Sequence, residues 1–147
     1  MRRADPQQPG FDLRKVGLTA GIDEAGRGPL AGPVVAAAVI LDRKHPIRGI
    51  ADSKILAPAV REELALRIQQ RSIACGLGWA DACEVDALNI LQATMLAMRR
   101  AMLGLRCAPA HVIVDGDRCP SLAGLPFDCS IEAVVAGDSS VTCVGAA

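Results

Sequence analysis

The chain has 147 residues, 51% of them hydrophobic and only 2% aromatic, which sets a single domain with an aliphatic core and excludes wholesale disorder. Its formal net charge is zero, yet residues 1–72 carry +4 and residues 73–147 carry −4, so a basic half precedes an acidic one and uniform basicity is excluded. The longest purely apolar run, Val34 to Leu41, is too short to cross a bilayer.

The polar, Pro- and Gln-rich start has charge but no apolar signal-peptide core, and predicts a flexible arm over residues 1–16 ahead of one domain over 17–147. Val16 to Ile22 reads as a first strand, and Val34 to Leu41 as a second, buried one. A loop with Lys and Arg follows, from Asp42 to Leu56. Pro58 then opens a helix whose buried stripe is Val60, Leu64 and Ile68. Ser72 to Trp79 reads as a third strand. Leu88, Leu91, Met95, Met98, Met102 and Leu105 repeat every three or four residues, which predicts a long amphipathic helix with Asp86 as N-cap and Gly104 as its stop. The methionines in that stripe are core filler rather than ligands. His111 to Val114 and Ser130 to Val135 complete the strands. Such an order predicts an α/β fold, a mixed sheet with flanking helices. Six cysteines without a C-x-x-C pair, beside two histidines, argue against structural zinc and for free thiols in a reducing, cytoplasmic setting.

Two nucleotide-loop readings fail. Gly26 to Gly32 has the spacing G-x-G-x-x-x-G and runs into a strand where a dinucleotide fingerprint requires a helix. Gly21 to Gly26 has phosphate-loop spacing, but Arg27 and Gly28 stand where that loop needs Lys and Ser or Thr. Carboxylates at predicted strand ends offer a better reading: Asp23-Glu24, Asp115 and Asp138. A lone Asp beside Gly is usually a turn residue, and three such points weaken that explanation. Oxygen ligands suit a hard cation such as magnesium, and paired ions can clamp the attacking and leaving oxygens of a phosphodiester. One geometric difficulty stands. Neighbours on a regular strand face opposite ways, so Asp23 and Glu24 share a site only if the chain curls before Gly26.

The segment Gly21-Ile-Asp-Glu-Ala-Gly-Arg-Gly-Pro-Leu-Ala-Gly-Pro-Val34 resembles the opening signature of the ribonuclease HII family. Asp52-Ser53-Lys54, Asn89 to Met98, Val114-Asp115-Gly116 and Gly137-Asp138 resemble further family segments, in the same order. The resemblance implies a ribonuclease H-like fold and an endonuclease that cuts the RNA strand of RNA–DNA hybrids, or single ribonucleotides embedded in duplex DNA, leaving 5′-phosphates. It implies Mg2+ or Mn2+ held by Asp23, Glu24, Asp115 and Asp138. Gly26, Arg27 and Gly28 would meet the ribonucleotide, where two glycines allow close backbone approach and the 2′-OH marks RNA; Arg27 and Lys54 would hold phosphates. By spacing alone Lys54 is an ordinary solvated loop lysine, and Asp117 a turn residue.

Departures from the family pattern are Ile55 for a second Lys, Ala57 for a Ser or Thr cap, and Ala136 for a Lys. After Ser140 the likeness lapses, so the expectation is a domain truncated at its C-terminus, without the family's junction-stacking tyrosine. That leaves one sheet face undercovered and a family monomer prone to self-association. The rival readings are a non-catalytic hybrid-binding module and an inactive truncated fragment.

Overall fold

The computed structural model describes residues 17–26, 32–50, 55–137 and 142–147. The expected arm over 1–16 lies outside the described residues. Among the described residues five strands form one mixed sheet: β1 (Thr19–Ala25), β2 (Val34–Ile40), β3 (Ala74–Ala80), β4 (His111–Asp115) and β5 (Ser130–Val134). Their spatial order is β3-β2-β1-β4-β5. β1 is antiparallel to β2 and parallel to β4, β2 is antiparallel to β3, and β4 is parallel to β5. The carboxyl ends of β1, β3 and β4 therefore share one rim.

The first strand sits three residues later than its hydrophobicity predicts. Asp23 and Glu24 are consequently inside β1, paired with Ala37 and Ala36, rather than beyond its end. An apolar pattern marks where a strand is buried, and partner geometry alone decides how far it runs on through polar residues.

One sheet face carries the main core. Ala20, Ile22, Ala36, Ala38, Ile40, Val112 and Val114 pack there against Ala97, Met98, Ala101 and Met102. The long helix predicted from Asp86 is two helices. α2 (Ala82–Leu88) starts at Asp81, which accepts from Glu84 N–H while the Glu84 carboxylate accepts from Asp81 N–H. α3 (Ile90–Leu103) is capped instead by Asn89, whose side chain accepts from Gln92 N–H at 3.0 Å, and Gly104 ends it as expected. Asp86 lies within α2.

The buried stripe of α3 is also rotated from the predicted one. Ala93, Thr94, Ala97, Met98, Ala101 and Met102 face the sheet, while Leu88 is exposed. The cause is close approach. A Cβ on Gly76 or Gly78 of β3 would lie 2.2 Å from the carbonyl oxygens of Ala101 or Ala97, so small residues, not the largest ones, line the contact.

The opposite face is covered by α1 (Pro58–Arg71) and a short final helix, α4 (Thr142–Ala146). Pro58 opens α1, Ala57 supplies no side-chain cap, and Leu64 and Ile68 are buried, whereas Val60 is exposed. Five residues are too few for a helix to stand alone in water. Packing supports α4: a Cβ on Gly21 would lie 2.2 Å from the Cys143 carbonyl carbon, and Val144 is fully buried. Over β1 this face is covered by α4, and toward the β2–β3 edge Val35, Leu77 and Trp79 are exposed. No helix among the described residues is long and apolar enough to cross a membrane.

Candidate active site

Asp23 and Asp115 come together through strand register. The last ladder pair of β1 and β4 is Ile22↔Val114, and one residue further each chain reaches an aspartate. Ile22 and Val114 belong to the α3-side core, so alternation turns both aspartates toward the α1–α4 side. Neighbouring strands lie about 4.8 Å apart, within reach of a shared cation.

Glu24 is placed differently. The β1–β2 ladder runs unbroken through Ala25↔Val35, so the strand does not curl before Gly26. The Cβ of Glu24 leaves the strand opposite to that of Asp23. Both residues nevertheless line one cavity of about 330 Å³, between the sheet, α1 and the end of α4. Asp23 Oδ1 accepts from the Glu24 N–H at 2.8 Å, which fixes the aspartate rotamer.

That cavity also has walls from Ala37, Val39, Leu64 and Leu77, and Arg61 reaches it from α1. Cys75, another wall residue, has its thiol pushed up by burial, so it stays neutral and acts as apolar surface. Asp115 is held from the far side: its Oδ1 accepts the Gly137 N–H at 2.7 Å. Gly137 is buried, with Val144 of α4 next to where its Cβ would be. The sequence marked Gly137 only as the neighbour of Asp138, and it did not mark Arg61 at all. Gly137 acts through a backbone N–H, which carries no residue-type signal, and Arg61 lies 38 positions from Asp23 on a different element.

Gly26 has a backbone reason for being glycine. Its φ is +93°, and a Cβ would sit 2.6 Å from the Pro33 carbonyl oxygen. Arg27, Gly28, Lys54 and Asp138 lie outside the described residues. Among the described residues, no three His, Cys, Asp or Glu side chains gather as a metal-binding group. The aspartate pair suits a hard cation that keeps several waters and needs only one or two protein carboxylates plus substrate phosphates.

A five-stranded mixed sheet with helices on both faces and an aspartate pair at one rim defines a ribonuclease H-like domain. The chain superposes on the crystal structure of the ribonuclease H2 from Pyrococcus horikoshii OT3 with a TM-score of 0.76 at 29% identity, covering 88% of this chain and 68% of that one. A family model described as Ribonuclease HII matches residues 20–147, and the chain belongs to the ribonuclease HII family. It is 55% identical over 141 residues to Ribonuclease HII of Acidovorax sp. (strain JS42), covering 96% of this chain and 65% of that one. With Ribonuclease HII of Paracidovorax citrulli (strain AAC00-1) the identity is 57% over 131 residues, 89% of this chain and 52% of the relative. The chain thus spans 52 to 65% of the length of these curated relatives. The family match runs to Ala147, past Ser140, where the likeness was expected to lapse.

Proposed function

We propose that this chain carries the catalytic centre of an endonuclease that hydrolyses the RNA strand of RNA–DNA hybrids, including single ribonucleotides within duplex DNA, and leaves 5′-phosphate ends. The observation that carries the reading is the register that sets Asp23 and Asp115 on neighbouring strands and one face, at the rim where β1 ends before Gly26. Family membership supports the substrate class.

Asp23, Glu24, Asp115 and Asp138 would hold the divalent ions, Mg2+ or Mn2+. When bound, such ions lower the pKa of water and neutralise charge on the leaving 3′-oxygen. The chain's own residues orient and select. The Glu24 N–H and Gly137 N–H fix the two aspartates, so the donor oxygens are set before substrate arrives. Gly26 to Gly28 would bring backbone against the ribose, where the 2′-OH separates RNA from DNA. Arg27 and Lys54 would contact phosphate. Six free cysteines agree with work in a reducing compartment such as the cytoplasm.

The test is cleavage of a labelled duplex containing one ribonucleotide, in Mg2+ and in EDTA. Metal-dependent cutting on the 5′ side of the ribonucleotide supports the proposal. Tight hybrid binding without cutting would show a binding module, and absence of both would show a fragment without this activity.

A further inference from the structure

We infer that the basic corner where the loop after β2 meets the end of α1 is a second, sequence-independent contact surface for duplex nucleic acid, separate from the aspartate rim; nucleic acid as the partner rests on the hybrid-cleaving reading. Three observations carry it. The first is placement. The Ile73 N–H donates to the Ile40 carbonyl oxygen at 2.8 Å, which ties the start of β3 to the end of β2. Arg43, Lys44 and Arg48 follow Ile40 in the loop, and Arg71 ends α1 just before Ile73. Arg106 joins them from beyond α3, its Nε donating to the Ile73 carbonyl oxygen. Cations from three separate segments are thus gathered at one corner.

The second observation is charge. Arg43, Lys44, Arg48 and Arg71 are exposed, and among the described residues none of their side chains has a hydrogen bond or an ion pair. The carboxylate of this loop, Asp42, is already engaged: it accepts from the Lys44 N–H at 2.9 Å and meets His45 Nδ1 at 2.7 Å. Asp128, at the same end of the sheet, precedes β5, three strands away from β2. Like charges held close together repel, and a polyanion relieves that repulsion.

The third observation is distance from the aspartates. α1 carries Arg61 at the Asp23 cavity and Arg71 at the corner, which a helical rise sets about 15 Å apart. Gly145, Ala146 and Ala147 also line that cavity, so the end of the chain lies toward the aspartates and not over Arg71. One phosphate cannot reach both places. The corner therefore grips duplex that is not being cut. Phosphates repeat along a duplex, and flexible Lys and Arg tips bind them by releasing counterions, whatever the bases. A protein partner would call for an apolar centre, and the loop from Asp42 to Gly49 has no exposed large hydrophobic residue.

The experiment uses the full chain and an all-DNA duplex of about 24 base pairs in EDTA, with fluorescence anisotropy read over a series of salt concentrations. The parent should bind, more weakly as salt rises. Arg43→Gln, Lys44→Gln and Arg48→Gln combined should weaken binding by about tenfold or more in low salt and lower the salt slope by about 2 to 3, at roughly 0.9 per lost phosphate contact. Melting temperature and kcat on a short duplex with one ribonucleotide should stay as in the parent, and Arg43→Lys with Lys44→Arg should keep the binding. A triple variant with the parent's affinity and salt slope would overturn the corner, as would a parent that cuts the short duplex yet does not hold all-DNA duplex; either result leaves the cleavage reading standing. A parent that neither binds nor cuts would overturn both. Capture of phosphatidylserine vesicles that all-DNA duplex fails to displace would assign the corner to a membrane surface and overturn the duplex.

Discussion

The backbone N–H of Gly137 donates to Oδ1 of Asp115 across 2.7 Å, joining the turn after β5 to the last residue of β4. This bond sets the aspartate's orientation and brings the segment that leads to Asp138 up to the same rim. Two parallel strands are adjacent anyway; the bond makes their ends meet at a carboxylate.

Asp115→Asn keeps an oxygen that can accept from Gly137 but removes the negative charge. Hybrid cleavage should fall by at least about a hundredfold, since even outer partners of metal ligands cost 10–100-fold. Hybrid binding in EDTA should stay within a few-fold of the parent. Unchanged cleavage at limiting Mg2+ would remove Asp115 from the site.

Gly21→Ala places a methyl 2.2 Å from the Cys143 backbone, so α4 must move off β1. The expected loss is about 1–3 kcal/mol, read from urea unfolding, with reduced cleavage because Asp23 is two residues along. A variant as stable as the parent would show that α4 does not rest on Gly21 in solution.

Asn89 caps α3 from a backbone with φ +73° and ψ 164°, a region that side chains rarely occupy. Asn89→Ala loses the cap and keeps the strain, so it should cost about 1–2 kcal/mol; Asn89→Gly relieves the strain and should cost only a few tenths. Equal losses for the two variants would contradict this account of the α2–α3 junction.

The Glu84 carboxyl is lowered from its ordinary 4.5 to about 2, first by the Arg100 guanidinium and then by the Asp81 N–H. A depressed folded-state pKa stabilises above the unfolded value and loses that contribution as pH falls from 4.5 toward 2. Glu84→Gln should therefore melt below the parent at pH 7, and the gap should narrow by pH 3. A constant gap would mean the pair contributes only through its shape.

The sequence by itself determined the order of the five strands with α1 and α3 between them, because periodicity is a local property of a chain. Val34 to Ile40 and the stop at Gly104 were legible for that reason. The extent of β1 through Glu24, the rotation of α3 onto alanines, the break at Asn89 and the persistence of a five-residue α4 were decided by tertiary structure. Each depends on how closely another element approaches: β2 pairing with Asp23 and Glu24, the glycines of β3 against Ala97 and Ala101, and Gly21 beneath Cys143. Steric fit between segments distant in sequence leaves no mark in the spacing of either one. The juxtaposition of Asp23 with Asp115 is of the same kind, since 92 positions separate them and only the parallel register brings them together.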